Sequence, residues 1–209
     1  MTEHGIDVAW PQGARYNWHQ WAGKLAFGMC KVSEGDGLVD VGLENNWAQM
    51  WEVRPDHRLP RFGYHFFRAS KDPIAQARFF VDTIKRHGLL PGDNLVADFE
   101  ATAGDGLNDG VVPLVFSARA REFLREVNSL APGHRVLPYM NPSFARMGHS
   151  FGMGPWYLWV ADYGVRSPQV PVPWDRWTFW QCGDSPVDQD VFNGTDEQLL
   201  AFTRMPDKR

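Results

Sequence analysis

The chain has 209 residues, of which 44% are apolar and 22% are charged, and its formal net charge is −4. This length supports one well-buried core, and the composition is typical of a globular chain and excludes a disordered one. The mild acidity and the lack of any Lys or Arg run argue against nucleic acid as a partner. No apolar run approaches the ~20 residues of a membrane span, so we expect no membrane insertion.

The first ten residues, MTEHGIDVAW, contain no basic stretch followed by an apolar one. We therefore expect that the chain has no secretory signal peptide and is made in a cytoplasm. Neither an internal repeat nor a linker toward a second domain is visible, so we expect a single domain over residues 1–209. No feature indicates an obligate protein partner.

Strand-like runs recur along the whole chain. Eight are predicted, at residues 5–9, 25–32, 61–67, 94–100, 135–140, 156–161, 177–182 and 187–192. Helices are predicted between the first five strands, from Asp40 to about residue 53, from Asp72-Pro73 to Gly88, and from Pro113 to just before Pro132, with a weaker candidate at 15–23. This alternation predicts an α/β fold with parallel strands and helices packed outside them.

Eight strands favour a closed, TIM-type barrel over an open sheet, but a full barrel of this type has ~250 residues. The second half of the chain shows what is missing. Residues 164–174 include Pro168, Pro171 and Pro173, which exclude a regular helix. The link at 183–186 is too short for a parallel crossover of ~10–12 residues. We therefore predict a modified barrel whose last three strands lack helices and whose final pair forms an antiparallel hairpin.

The strongest chemical signal is the run Leu95-Val96-Ala97-Asp98-Phe99-Glu100, an apolar strand that ends in two acids. Side chains two apart on a strand share a face, so Asp98 and Glu100 point together, with Cα atoms ~6.5 Å apart, while Phe99 points away. The C-terminal end of a barrel strand is where barrel enzymes place catalytic groups. Repulsion between two acids raises the proton affinity of one of them, which suits a general acid. We expect Glu100 to hold the proton and Asp98 to remain charged.

A D-x-E pattern alone is common, and exposed strand-end acids or helix caps explain most examples. Further acids strengthen the case here. Asp7 lies in the apolar run 5–8, and Asp188 and Asp190 lie in the last predicted strand. Acids at several strand ends are costly unless they share one solvated, working site.

Several blocks of the sequence together resemble family-25 glycoside hydrolases, the lysozymes called muramidases of the Chalaropsis type. The blocks are GIDVAW with Gln12-Gly13, KVSEG from Lys31, GYHF from Gly63, the DFE run at Asp98, LWVADY from Leu158, Trp180-Gln181, and VDQDVF from Val187. They occur in the family's order and span nearly the whole chain. The resemblance implies a barrel with about five helices and three strands without helices.

The same resemblance implies roles for individual residues. Glu100 matches the family's proton donor, and Asp98 matches the acid that orients the substrate's acetamido group or a water. Asp7 and Asp190 match two further acids that line the cleft, and all four are assigned here as catalytic. Five residues are assigned to substrate binding: Tyr64, Tyr139, Trp159, Trp180 and Asp188. The departures from the family pattern, at Ala9, Pro11 and Cys182, affect fine positioning of the substrate rather than the reaction class.

Metal and redox chemistry find no support in the sequence. The seven histidines show neither an H-E-x-x-H pattern nor other paired ligand spacing, so we expect no metal site and no cofactor. Cys30 and Cys182 lie in apolar runs and are interpreted as buried free thiols. His65 is interpreted as a structural hydrogen-bonding residue, and Glu34 as a solvated loop acid.

The resemblance implies an N-acetylmuramidase that cuts the β-1,4 bond between N-acetylmuramic acid and N-acetylglucosamine in bacterial cell-wall peptidoglycan. Two alternatives stay open: a non-catalytic glycan-binding barrel, and a glycosidase that acts on another polysaccharide. We expect no separate wall-binding domain. We also expect an endolysin of phage type or a virion-associated lysozyme, which acts on the wall after release.

Overall fold

The computed structural model describes residues 2–54, 59–101, 108 and 110–204. These residues contain nine strands: β1 (Glu3–Val8), β2 (Phe27–Glu34), β3 (Leu38–Val39), β4 (Arg61–Phe66), β5 (Asn94–Asp98), β6 (Val136–Met140), β7 (Trp159–Ala161), β8 (Phe179–Gly183) and β9 (Asp188–Phe192). All except the two-residue β3 correspond to the eight predicted strands. These eight form a closed ring, because β1 pairs with both β2 and β9.

The strand directions confirm the predicted departure from a full parallel barrel. Neighbours from β1 through β2 and β4 to β8 are parallel, whereas β9 runs antiparallel to both β8 and β1. The short link between β8 and β9 permits only a hairpin. Because β9 is reversed, its first residues lie at the end of the barrel where the parallel strands finish.

In the described part of the chain, five α-helices accompany the barrel: α1 (Leu43–Met50), α2 (Pro73–Arg86), α3 (Pro113–Leu130), α4 (Pro142–Phe144) and α5 (Asp196–Arg204). The start of α2 is as the sequence predicts, since the Asp72 side chain accepts from the Ala75 amide at 2.7 Å and Pro73 takes the first helical position. The predicted helix at 15–23 is reduced to one 3-10 turn, Trp18–Trp21.

Two helical segments were not predicted. Asn141 caps α4 by accepting from the Phe144 amide at 2.8 Å, and the chain continues as a π-helical turn at Ala145–His149. The helix α5 follows β9 and brings Leu199 and Phe202 against the barrel interior. No helix joins the last three strands to one another within the described part of the chain, as predicted.

Two apolar layers result from strand alternation. One fills the barrel and includes Phe27, Phe62 and Phe179, while the other lies between the barrel and the helices and includes Phe99 and Phe123. Within the described residues, no helix is long and apolar enough to cross a bilayer. The fold thus leaves the upper end of the barrel, where the parallel strands finish, open for a site.

Candidate active site

A cavity of about 190 Å³ opens at the C-terminal ends of the parallel strands. It is lined by Asp7, Tyr64, Asp98, Glu100, Tyr139, Trp159, Tyr163, Gln181 and Asp188. Every strand of the barrel except β2 therefore contributes a lining residue. Glu100 and Tyr163, which also line the cavity, lie just after β5 and β7. Of the nine residues assigned from the sequence, seven line this cavity, and Asp190 and Trp180 do not.

The end of β5 has the predicted alternation. Asp98 and Glu100 both face the cavity. Phe99 is fully buried on the opposite face, where its ring packs against Phe67 and Phe116 with centroids 5.3 and 5.8 Å away. Packing of Phe99 under the helices fixes the direction of both acids, because a strand cannot turn one residue without turning its neighbours.

Asp98 lies deeper than the sequence suggested. Its side chain is buried, and its Oδ1 atom makes no hydrogen bond with the residues that the structure describes. Burial, and next the adjacent Glu100 charge, raise the pKa of Asp98 well above its usual value, although Lys31 opposes this. This direction runs against the expectation that Asp98 stays charged, because a low-dielectric surrounding favours the protonated carboxyl.

Asp7 is held by an amide. Gln181 Nε2 donates to Asp7 Oδ2 at 2.6 Å, while Gln181 Oε1 accepts from the Tyr139 hydroxyl at 2.8 Å and also from Tyr163. Two hydroxyl donors on the oxygen require the amide nitrogen to point at Asp7. Burial, and then the Asp188 charge, raise the pKa of Asp7 to about 8, and the Gln181 hydrogen bond opposes the rise.

Asp190 does not line the cavity, contrary to the expectation that it does. It is fully buried on β9, and its Oδ1 accepts from the Trp159 indole at 2.8 Å. Burial and the neighbouring Asp7 raise its pKa well above the usual range. Strand β9 directs both Asp188 and Asp190 into the barrel, but Asp190 lies one layer below the cavity, where it accepts from Trp159.

The assignment of Trp180 to substrate binding is wrong for this cavity. Strand β8 turns Gln181 inward and Trp180 outward, where the indole donates to the Asp162 carbonyl at 2.8 Å and packs against Trp177. Trp159, in contrast, lies inside the barrel with its ring 4.5 Å from that of Tyr139. A matching motif identified the strand correctly but not the face.

Gln181 and Tyr163 were missed as site residues. Both belong to the matched blocks, Gln181 to Trp180-Gln181 and Tyr163 to the LWVADY run that begins at Leu158. The available signal was the period of two along β8, which sets Gln181 on the face opposite Trp180. An amide between Trp180 and Cys182 carries no chemical pattern of its own, so only its contact with Asp7 identifies it.

Other polar groups near the site are structural. Glu34 is not a solvated acid, because Lys31 donates to it at 2.7 Å and Arg68 Nε at 2.9 Å. His65 is buried between Ser33 and Gln76, and burial lowers its pKa to about 3. Among the described residues, no group of three or more His, Cys, Asp or Glu side chains is arranged to hold a metal ion.

Comparisons with known proteins agree with this geometry. The family model described as Glycosyl hydrolases family 25 matches residues 6–191. The Escherichia coli (strain K12) protein YegX is 31% identical over 96% of this chain and 73% of its own length, and Lysozyme M1 of Streptomyces globisporus is 26% identical over 95% and 70%. The crystal structure of the bacterial lysozyme from Streptomyces coelicolor superposes with a TM-score of 0.83, at 27% identity and 97% coverage of both chains.

The family match covers nearly all of the barrel and includes every residue that lines the cavity. It confirms the family and the enzyme class expected from the sequence blocks. The chain belongs to glycosyl hydrolases family 25 and is a glycoside hydrolase.

Proposed function

We propose that this enzyme cleaves the β-1,4 bond between N-acetylmuramic acid and N-acetylglucosamine in bacterial peptidoglycan, with Glu100 as the proton donor. The observation that carries the proposal is the convergence of Asp7, Asp98 and Glu100 on one cavity in a barrel of this family. Lysozymes among its relatives support peptidoglycan as the substrate.

In this mechanism Glu100 gives its proton to the glycosidic oxygen as the bond from that oxygen to the anomeric carbon breaks and the sugar ring gains positive charge. Water then adds to the anomeric carbon and loses a proton, which completes the hydrolysis. Asp98 lies beside it and orients the substrate's acetamido group. A protonated Asp98 donates to the acetamido carbonyl, and an ionised one accepts from the acetamido N–H and stabilises the developing charge. Asp98 Oδ1 has no hydrogen-bond partner among the described residues and is suited to such a contact, because buried polar atoms are normally hydrogen-bonded.

Because its pKa is raised to about 8, Asp7 adds negative charge to the cleft only as the pH approaches that value, and Gln181 keeps its carboxyl group in one orientation. Tyr64 and Tyr139 form the walls beside Trp159, at ring distances of 6.4 and 4.5 Å from that indole. Rigid aromatic walls restrict the sugar to few orientations and so lower the entropic cost of reaching the transition state. The acids needed for hydrolysis are in place, which favours an enzyme over a glycan-binding barrel.

The test is mass spectrometry of peptidoglycan digested by the purified protein, after borohydride reduction of new chain ends. We expect the reduced sugar to be N-acetylmuramic acid. Reduced N-acetylglucosamine would show cleavage of the other glycosidic bond. Absence of fragments, with retained binding to wall sediments, would show a binding protein. Digestion by Glu100→Gln in parallel controls for contaminating hydrolases.

We further propose that the enzyme reaches its substrate after release from the cell that makes it, as an endolysin or a virion-associated lysozyme. Peptidoglycan lies outside the cytoplasmic membrane, so the enzyme must act there. Immunoblots of phage particles and of culture lysates would separate the two roles, since only a virion-associated enzyme sediments with the particles.

A further inference from the structure

A second cavity, of about 360 Å³, adjoins the catalytic one and is called the side groove here. The two cavities share Glu100, Tyr139 and Tyr163 as lining residues. The remaining polar lining of the side groove is formed by Asn141, Ser143, Arg146, Asp162 and Gln169. The side groove therefore begins at the proposed proton donor and leads away from it along the segments that follow β6 and β7.

Arg146 is the one cationic side chain among the described residues that line the side groove. Its side chain is exposed, and Nη1 donates to Gln169 Oε1 at 2.9 Å. Gln169 is fixed in turn, because its backbone N–H donates to Asp162 Oδ2 at 2.9 Å. One contact leaves most of the five guanidinium N–H donors directed at solvent or at a bound group.

The backbone that carries Arg146 is unusual. The helical turn Ala145–His149 is kinked at Gly148, whose φ of 98° is not helical, and His149 Nδ1 lies 2.9 Å from the Phe144 carbonyl oxygen. Asn141 uses its side-chain oxygen for the helix cap, so its amide NH2 remains as a second donor at the groove.

We propose that the side groove binds the acidic stem peptide of N-acetylmuramic acid and that Arg146 recognises a carboxylate of that peptide. This inference rests on the proposed function. With Glu100 at the glycosidic oxygen, the muramic acid ring occupies the catalytic cavity, and its lactyl substituent must leave by an adjoining opening. The side groove is such an opening, and it offers the guanidinium that pairs well with a carboxylate.

The experiment compares two forms of the same purified glycan strands. One keeps uncrosslinked stem peptides, and the other has lost them to an N-acetylmuramoyl-L-alanine amidase. We expect wild-type kcat/KM to be higher on the peptide-bearing strands. In Arg146→Gln the ratio of kcat/KM on peptide-bearing strands to kcat/KM on stripped strands should fall about two- to tenfold. This is the effect expected from losing a charged hydrogen bond that is exposed or half-buried. Arg146→Glu should lower the ratio further, because it repels the peptide.

Arg125→Gln is the matched control, because Arg125 is an exposed arginine on α3 outside the groove. It should keep the wild-type ratio. If Arg146→Gln lowered kcat/KM equally on both substrates, the proposal would be overturned, since the groove would then bind sugar rather than peptide. A larger loss on stripped strands, which carry a free lactyl carboxylate, would overturn it as well.

An unchanged ratio in Arg146→Gln and Arg146→Glu would also overturn the proposal. Failure of the wild-type protein to cut either substrate would instead contradict the proposed function. Thermal unfolding of each variant verifies that the exposed substitutions leave the fold intact.

Discussion

The two ends of the barrel interior are built from the same strands but differ in chemistry. At the lower end, where the parallel strands begin, Phe27, Phe62 and Phe179 pack with ring centroids 4.9 to 6.1 Å apart. Two residues further along β4 and β8, the inward positions are Tyr64 and Gln181, which line the cavity. A single step of the strand repeat thus separates an aromatic core from a polar site.

The lower end is also closed by α5. Phe202 lies 5.8 Å from Phe179 and 6.0 Å from Phe192, and Leu199 is fully buried beside them. At the upper end, buried acids carry raised pKa values, so this end is less stable than an apolar filling would be. Apolar packing at one end of the barrel therefore supports an energetically costly arrangement of acids at the other. Substitutions at the two ends should therefore separate stability from activity.

The largest expected effect is at the upper end. Glu100→Gln should reduce kcat on peptidoglycan by about 10²- to 10⁴-fold, because the amide has nearly the same shape but has no acidic proton to donate. Its free energy of unfolding should stay near the wild-type value. Turbidity assays on wall suspensions and urea unfolding measure the two quantities. Near-normal clearing by the folded variant would remove Glu100 from the mechanism.

Phe179→Ala tests the lower end. Loss of a fully buried phenylalanine that contacts four other rings should lower the free energy of unfolding by about 3–5 kcal/mol. Activity per folded molecule should change little, since Phe179 does not line the cavity. Urea unfolding measures the loss of stability, and an activity assay at low temperature, where the variant remains folded, measures the activity per folded molecule. A loss of activity without a loss of stability would show that the two ends are not separable.

Asp98→Asn should lower kcat but raise the free energy of unfolding. Loss of the carboxyl removes the group that orients the acetamido substituent, so kcat should fall by roughly 10²-fold. Burial raises the pKa of Asp98 above its unfolded value of 3.8, so the wild-type protein loses stability as the pH rises through that value. The variant lacks this loss, and its stability advantage should grow from pH 4 upward.

Urea unfolding of wild type and Asp98→Asn at several pH values between 4 and 8 measures this advantage. Asp82→Asn is a suitable control, because Asp82 is an exposed acid on α2. Should the advantage of Asp98→Asn shrink with rising pH, the Asp98 carboxyl is ionised in the folded cleft.

The smallest expected effect is at Gln181, which acts as a positioning residue for Asp7. Gln181→Leu removes the donor to Asp7, and kcat/KM should fall about tenfold, as for a lost hydrogen bond to a charged group worth ~1.5 kcal/mol. Because that donor lowers the pKa of Asp7, its loss should move the acidic limb of the pH–rate profile to higher pH.

Trp180→Phe, on the outward face of the same strand, should leave that limb in place. An unshifted limb in Gln181→Leu would mean that the amide does not control Asp7. A shift in Trp180→Phe would show instead that the outward face of β8 influences the site.

The sequence by itself determined the strands of the barrel, the reversed final hairpin and the shared face of Asp98 and Glu100. These features depend on local rules, namely the period of two along a strand and the shortest link that a crossover requires. The ordered blocks also determined the family. The extent of the domain over residues 1–209 and the site of action stay predictions.

Only the tertiary structure decided which face of β8 looks inward, because both of its faces carry aromatic residues. The same holds for Asp190, which lies one layer too deep to reach the cavity, and for Asp98, whose proton affinity depends on burial beneath neighbouring strands. The depth of a side chain is set by strand stagger and by packing between distant segments. Local sequence specifies the direction of a side chain along its strand, whereas the assembled barrel specifies its depth and therefore its charge.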